Sequence, residues 1–231
     1  MRQKIVILSG AGMSAESGLK TFRDTDGLWE GHSIEDVATP GAWIRNTALV
    51  LDFYNQRRSQ LKAALPNAAH LALVNLESRY NVMIITQNVD DLHERAGSSN
   101  IIHLHGELFK VRSSQYPDLI YDWREDLKQG QLCEKGAQLR PHIVWFGEEV
   151  PLLEKAINEC LEADYCIIIG TSMQVYPAAS LVRYLNKMCK LYYIDPRPHI
   201  NPELSMNHQL KIIEAAATEG VTRLVNDLLL A

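Results

Sequence analysis

The strongest constraint on the fold lies near the start of the chain, where a short apolar run ends in a glycine turn. Ile5 to Leu8 reads Ile-Val-Ile-Leu without a break, the pattern of a strand buried on both faces of a parallel sheet. It runs into Gly10-Ala11-Gly12-Met13-Ser14-Ala15, a G-x-G-x-x-A turn. In a dinucleotide fold the first glycine makes the tight turn and the second admits a pyrophosphate to the backbone. The small third residue lets the next helix pack close to the strand. That helix is expected to offer free N–H groups and its dipole to the phosphates. Such a turn alone is a weak signal, but its position directly after the first strand favours nucleotide binding.

The next stretch departs from a plain dinucleotide unit, which would place an acidic residue about 20 residues on, after a second strand. Here Thr21 to Gly31 is polar, aromatic and non-periodic, and it includes Phe22, Arg23 and Trp29. The next good strand arrives only at Val82. A helical insertion over about 20–66 therefore separates the first two strands. A long loop beside a phosphate turn is more often functional than idle, and Arg23 is placed to meet a phosphate as a planar fork. Within the insertion, Thr39-Pro40 reads as an N-cap with proline at the first helical position. Residues 42–65 hold no breaker and predict one long helix or two short ones. Pro66 ends that stretch, and Asn67 opens an amphipathic helix carrying Leu71, Leu73, Val74 and Leu76.

Strand patterns then recur at Val82–Ile85, Ile101–Leu104, Tyr165–Ile169, Leu191–Ile194 and Leu210–Ile213. Helical patterns cover 151–163, 178–188 and 221–230. Residues 109–140 lose periodicity and predict a second, small inserted module, after which Ile143-Val144-Trp145-Phe146 resumes an apolar run. The alternation implies an α/β fold, a Rossmann-like open parallel sheet, with 1–231 as one catalytic domain. In such sheets ligands bind beyond the carboxyl ends of the strands. Gly10 to Ser14, Thr86 to Asp90, His105, Gly170 to Ser172 and Asp195 all fall there. Singly, each has a bland reading: Asn88 and Asp90 as helix caps, His105 as a satisfied half-buried histidine, Gly170-Thr171-Ser172 as an ordinary turn. Their joint placement favours a binding and catalytic site.

Composition narrows the class. With 46% hydrophobic and 22% charged residues and a formal net charge of −5, the chain reads as an ordinary soluble protein, and no Lys/Arg stripe suggests nucleic acid. No apolar run reaches the length of a membrane span and no signal-like leader is present, so a cytoplasmic protein is expected. The four cysteines include no C-x-x-C pair and read as buried apolar filler rather than metal ligands.

Five blocks resemble the sirtuin family, in family order and across nearly the whole chain. They are Gly10 to Gly18 with Thr21-Phe22-Arg23-Asp24; Thr86-Gln87-Asn88-Val89-Asp90-Asp91-Leu92-His93; Leu104-His105-Gly106; Arg140-Pro141-His142-Ile143-Val144-Trp145-Phe146-Gly147-Glu148; and Gly170-Thr171-Ser172 with Val175-Tyr176-Pro177-Ala178. The resemblance implies an NAD-dependent protein-lysine deacylase acting on acylated-lysine proteins. It implies cofactor contacts at Gly10, Ala11, Gly12, Ser14, Ala15, Phe22, Arg23 and Trp29, with Gln87 holding the ribose and Asn88, Val89 and Asp90 at the nicotinamide end. Gly170, Thr171, Ser172, Asp195, Pro196 and Ala217 would take the adenosine side. Nicotinamide leaves as the acyl-lysine oxygen attacks the ribose, and His105 serves as general base on a ribose hydroxyl, a role suited to a near-neutral pKa. The products would be free lysine, nicotinamide and O-acyl-ADP-ribose. Val144, Phe146, Gly147 and Glu148 would pair with the substrate peptide as a strand.

Two positions depart from the family pattern. Its structural zinc uses two C-x-x-C pairs after the histidine block; here that place reads Val111-Arg112-Ser113-Ser114-Gln115-Tyr116, and later only Cys133 remains. No tetrahedral site can form from these, so no zinc is expected. Asp195 stands where the family usually has asparagine near the adenosine ribose, and it can still accept from ribose hydroxyls. Tyr54 and Arg57, i and i+3 on one helix face, resemble the Tyr-x-x-Arg of members that remove succinyl and malonyl groups. A hydroxyl and a guanidinium on one face make a carboxylate clamp, although an arginine pair on a helix is usually only a solvated face. Ala38 matches the small residue that widens the pocket in those members. Rival readings are protein mono-ADP-ribosyl transfer, a non-catalytic NAD-binding module and a nicotinamide oxidoreductase. The missing second βα unit argues against the last.

Overall fold

The structure, a computed structural model, describes residues 2–20 and 31–230. Strands β1 (Lys4–Ser9), β2 (Asn81–Thr86) and β3 (Ile101–His103) come first in the chain. Strands β4 (Gly106–Ser113), β5 (Ile120–Asp122) and β6 (Leu139–Ile143) come next, then β7 (Tyr165–Ile169), β8 (Lys190–Ile194) and β9 (Leu210–Ile213). Six of them form a parallel sheet in the order β3-β2-β1-β7-β8-β9. The order reverses between β1 and β7, where an open α/β sheet leaves a crevice.

Between β1 and β2 the chain forms helices α1 (Ile34–Val37), α2 (Pro40–Arg45), α3 (Thr47–Ala63) and α4 (Ala68–Leu76). Later come α5 (Leu92–Ala96), α6 (Leu153–Leu161), α7 (Pro202–Ser205) and α8 (Ala217–Leu230). Alternate β1 residues serve opposite layers, as the period of a strand requires. Ile5 and Ile7 pack with Leu73 and Leu76 of α4 and with Val221, Leu224 and Val225 of α8. Val6 and Leu8 pack with Ala156 and Cys160 of α6 and with Leu181 and Val182. Both faces are therefore dry, which is why the strand carries no alternation of polar residues. Cys160, Cys166 and Cys189 are buried free thiols in the second layer, and burial pushes Cys160 up to about 12.

Several local expectations hold and others are corrected. Thr39 caps α2 by accepting from the Ala42 amide at 3.0 Å. The 42–65 stretch is two helices because Asn46 interrupts it and caps the second, accepting from the Leu49 amide at 3.1 Å. Asn67 forms a capping box with His70 at the start of α4. The glycine turn does not lead into a regular helix: Ala11–Met13 and Ala15–Ser17 are single 3-10 turns, stopped by Gly18 at φ 88°. Asn67 reaches over to the Met13 carbonyl at 2.9 Å and takes an acceptor that a longer helix would use. The expected helix over 178–188 is a 3-10 segment, Ala178–Tyr184, in which Ser180 Oγ donates back to the Pro177 carbonyl. Asn186 ends it by donating to the Ala163 carbonyl at 2.8 Å. No strand continues beyond Ile143; β6 stops there and residues 146–148 turn.

The 109–140 module is more regular than its sequence suggests: β4 pairs antiparallel with β5 and β6. Its core is Val111, Leu127, Cys133, Ala137 and Leu139, closed by Leu51 of α3. Asn55 fastens the module to α3 through both backbone groups of Leu127, at 2.8 and 3.0 Å. Ser113 Oγ accepts from the Gln115 and Tyr116 amides and from Cys133 Sγ. Ser113 and Cys133 are thus tied to each other and to a turn. Among the described residues, no three His, Cys, Asp or Glu are grouped to hold a metal, and no helix is long and apolar enough to cross a membrane.

Ser113→Ala removes the acceptor of this turn and is expected to cost about 1 kcal/mol, a fall of about 2–4 °C in melting temperature for a chain of this size. Calorimetry with and without a chelator checks the pair of expectations: chelation should leave the midpoint of the native protein unchanged, whereas a drop would mean that a metal holds the module.

Candidate functional site

At the β1/β7 reversal, two turns lie directly against each other. Gly10 N donates to the Ile169 carbonyl at 3.0 Å and Gly12 N to the Gly170 carbonyl at 2.7 Å. A Cβ on Gly12 would sit 2.7 Å from Gly170 Cα, and one on Gly170, whose φ is +59°, would sit 2.3 Å from Met13 N. The sequence assigns the second glycine to ligand approach; the structure adds that the neighbouring turn already demands it. Gly10, Ala11 and Gly12 with Gly170, Thr171 and Ser172 line a cleft of about 370 Å³. Ser14 and Ala15 line it as well.

The helix end at this cleft is not the one expected after β1. It is α8, whose Ala217 lines the cleft. The Glu16 carboxylate accepts from the Thr218 amide at 2.9 Å and its hydroxyl at 2.6 Å, a favourable place for a negative charge. Asp195, at the end of β8, is buried and accepts from the Arg197 amide at 2.8 Å; it lines the cleft with Pro196.

The end of β2 supplies a continuous polar network. Asn88 Nδ2 donates to the Gly10 carbonyl at 3.0 Å and lies 3.2 Å from Ser14 Oγ. Ser14 Oγ donates in turn to Asp90 Oδ2 at 2.9 Å, and Asp90 Oδ1 accepts from the Leu92 amide at 3.2 Å. Asp90 is not the N-cap of α5, which is Asp91 with no side-chain cap bond; its bond to Leu92 closes a turn ahead of the helix, and it lines the cleft with Gln87, Asn88 and Val89. Burial pushes its carboxyl up, opposed by the Leu92 and Ser14 hydrogen bonds and by the charge of His103. Gln87 Nε2 donates to Thr171 Oγ1 at 3.1 Å and ties the β2 end to the β7 end.

His105 Nδ1 lies 3.1 Å from the Gln87 carbonyl. A carbonyl can only accept, so Nδ1 carries the proton and Nε2 keeps its lone pair. Burial lowers the pKa of this imidazole, partly offset by the Gln87 bond, which keeps it a neutral base at pH 7. Gly106 fixes the backbone beside it: φ is +84°, and a Cβ would fall 2.0 Å from the His142 carbonyl oxygen on β6.

Ala38, Tyr54 and Arg57 line the same cleft. Tyr54 is fully buried and accepts from Trp145 Nε1 at 3.0 Å. Burial raises its phenol pKa far above the usual range, and the nearby Trp145 bond and Arg57 charge oppose the rise. Val144, Phe146, Gly147 and Glu148 form the rim. The Glu148 side chain is drawn inward: it meets Arg140 at 2.6 Å and Arg112 at 3.2 Å, and accepts from the Trp145 amide at 2.8 Å. Arg140 lies over the Trp145 ring at 3.3 Å from its centroid. Phe22, Arg23 and Trp29 lie outside the described residues. Sequence reasoning missed Leu61, Glu16 and Arg197, which also line the cleft. Leu61 was within reach, being i+4 from Arg57 on the same face.

Behind the site, His93 Nε2 sits 3.0 Å from Ser9 Oγ, and its ring centroid is 4.9 Å from that of His70. Burial lowers His70 to about 4. Burial, with the charges of His70 and His103, holds His93 well below its ordinary value.

Residues 10–177 match the Sir2 family. A Helicobacter pylori J99 protein named NAD-dependent protein deacylase is 61% identical over 207 residues, 90% of this chain and 88% of the relative. A Bacteroides thetaiotaomicron protein of the same name is 48% identical over 228 residues, 96% of each. Among solved structures, a Sir2 homologue in complex with NAD superposes at a TM-score of 0.87 with 39% identity, covering 98% of this chain and 90% of the other. An ADP-ribose complex of a mutant Sir2 homologue gives 0.88 and 38%, covering 97% and 91%.

The buried His70 and His93 are neutral in the fold, while their unfolded forms take up protons as pH falls below 6.5. Stability is therefore expected to fall between pH 6.5 and about 4, with His70 accounting for about 2 kcal/mol between pH 7.5 and 5. Urea unfolding at those two pH values checks it, and His70→Gln should flatten the slope; an unchanged slope would contradict the assignment.

Proposed function

The chain belongs to the Sir2 family, and from that premise we propose that it is an NAD-dependent protein-lysine deacylase that removes succinyl and malonyl groups as well as acetyl. The observation that carries the reading is a single cleft lined at once by His105, Asn88 and Asp90 and by Tyr54 and Arg57. The parallel sheet and the small antiparallel module have the sirtuin arrangement.

NAD, when bound, supplies a ribose carbon activated by nicotinamide as its leaving group. The residues present fit it: at the order reversal of the sheet, the Gly10–Gly12 and Gly170–Ser172 turns line the cleft where an open α/β sheet takes a ligand. Ser172, Asp195, Pro196 and Ala217 take the adenosine side, and Asp195 accepts from ribose hydroxyls. Phe22, Arg23 and Trp29 complete the set in this reading. Asn88 and Asp90, held by Ser14, line the nicotinamide end, and Gln87 positions the ribose. His105 takes the proton of a ribose hydroxyl on Nε2, since Nδ1–H is committed to Gln87. Lysine, nicotinamide and O-acyl-ADP-ribose are the products.

The substrate segment reads differently from a bare sheet edge. The Val144, Trp145, Phe146 and Glu148 amides are spent on the His105 carbonyl, Glu148 Oε2, the Ala38 carbonyl and the Trp145 carbonyl. A peptide laid along this rim therefore pairs chiefly with its carbonyls, and the Glu148 carboxylate stiffens the rim rather than reading the peptide. Backbone pairing of this kind tolerates many sequences.

The acyl group enters between Ala38 and the Tyr54/Arg57 pair. In this reading the guanidinium and the hydroxyl meet one acyl carboxylate; that both line the cleft and that the Arg57 charge acts on the Tyr54 phenol support it. A charge-assisted bond is worth about 1.5–3 kcal/mol. Arg57→Met should therefore lower kcat/KM for a succinyl-lysine peptide about 10- to 100-fold and for the acetyl peptide only a few-fold. Paired kinetics on the two peptides decide it, and equal losses would remove the clamp.

The His105 assignment sets the pH profile. Because burial lowers its pKa, the acid limb of kcat/KM should lie below pH 6.5 and activity should persist as pH falls to that point. A limb above 6.5, or an unchanged limb in His105→Ala, would place the base elsewhere.

A further inference from the structure

Two residues before His105, a second histidine grips the next carbonyl along. His103 Nδ1 lies 3.3 Å from the Asn88 carbonyl, while His105 Nδ1 lies 3.1 Å from the Gln87 carbonyl. The two imidazoles, i and i+2 in the chain, hold consecutive peptide groups at the end of β2. Their second nitrogens differ. His103 Nε2 is 2.6 Å from Glu94 Oε1 on α5, so it is not available as a base.

Both neighbours of His103 are acceptors, a carbonyl oxygen and a carboxylate. A neutral imidazole has one N–H and would turn a lone pair toward one of them; an imidazolium donates to both. Its side chain is 8% exposed, so water is a poor substitute for either partner.

We infer that His103, as an imidazolium held by Glu94, is a positioning residue of the deacylation site that fixes the Asn88 carbonyl and with it the nicotinamide end of the cleft. The inference rests on the deacylase reading for what the cleft binds. Asn88 is pinned through its preceding peptide as well, since its N–H donates to Thr86 Oγ1 at 3.0 Å and Thr86 Oγ1 meets Ser9 Oγ at 2.9 Å. From Asn88 the chain of bonds continues through Ser14 to Asp90. A slip at the Asn88 carbonyl is passed to every group at this end.

The charges facing His103 agree with the assignment. Glu94 on α5 and Glu107 on β4 favour the cation, with Lys110 paired to Glu107 at 2.9 Å. Asp90 stands on the cleft side, where the His103 charge helps keep it ionised against burial. His93 on α5 is neutral. Burial works against the His103 charge, but the Glu94 bond and charge outweigh it and raise the pKa, while Glu94 itself is lowered despite its own burial.

The test uses the full chain and two readouts. The first is nitrogen NMR of the histidine rings. At pH 7.5 the native protein should show His103 with both nitrogens protonated and His105 with one. Glu94→Gln, a change at a half-exposed side chain, should return His103 to a neutral ring. The second is the pH profile of kcat/KM for NAD with an acyl-lysine peptide. The native alkaline limb should move to lower pH in Glu94→Gln, with a loss of about five- to tenfold at pH 8.5 that shrinks as pH falls, and little change in KM for the peptide. A uniform loss at all pH values that tracks a lower melting temperature would mean a merely structural role. A neutral His103 ring at pH 7.5 in the native protein overturns the inference whatever the activity. Absence of NAD-dependent acyl loss in the native protein with a doubly protonated His103 would instead defeat the deacylase reading and, with it, the positioning role.

Discussion

The site depends first on a contact between two backbones. Where the sheet order reverses, the turn after β1 and the turn after β7 lie against each other, with Gly12 N on the Gly170 carbonyl and no room for a Cβ on either side. Because these positions are glycine, no side chain rises from the floor of the crevice at Gly10, Gly12 or Gly170, and the polar side chains that line it come from the neighbouring strand ends. Everything else is arranged around this floor. The β2 end is tied to it through Asn88 to Gly10 and through Gln87 to Thr171, and Glu16 links it to the start of α8.

From that floor the polar groups divide by protonation state. Two histidines near the β3 end carry different loads: one keeps a free base on Nε2, and the other is saturated by a carboxylate and a carbonyl. Two more, His70 and His93, are driven neutral by burial behind the strand ends. Elsewhere on the cleft lining, the Arg57 charge acts on a buried phenol, and the Glu148 carboxylate is engaged by Arg140 and Arg112. An acidic acyl group there would find the Glu148 carboxylate already engaged, which is the physical case for the proposal that the pocket takes succinyl and malonyl as well as acetyl.

Much of this was legible in the chain. Ile5–Leu8 and Tyr165–Ile169 announce strands buried on both faces because neither run alternates with charged or strongly polar residues, and Thr39 and Asn67 announce helix starts because their side-chain oxygens can accept from the first free amides. The strand-end residues could be named as one site since parallel topology brings carboxyl ends together. What failed was context-dependent. The turn after Gly12 looks like a helix start, yet Gly18 and the Asn67 contact confine it to 3-10 geometry. The 178–188 run has helical periodicity, but Ser180 and Asn186 redirect its backbone bonds. The antiparallel pairing of the 109–140 module is hidden because its core is completed by Leu51 from a distant helix. His103 and Glu94 carry no motif that marks them; only their distances do.

The most direct measurement is mass spectrometry of a succinyl-lysine peptide incubated with the purified protein and NAD. Equal amounts of free lysine peptide, nicotinamide and O-succinyl-ADP-ribose, formed faster than from the matching acetyl peptide, are the result this account requires. Nicotinamide release with ADP-ribose retained on protein, or release of acetyl but not succinyl, would contradict it.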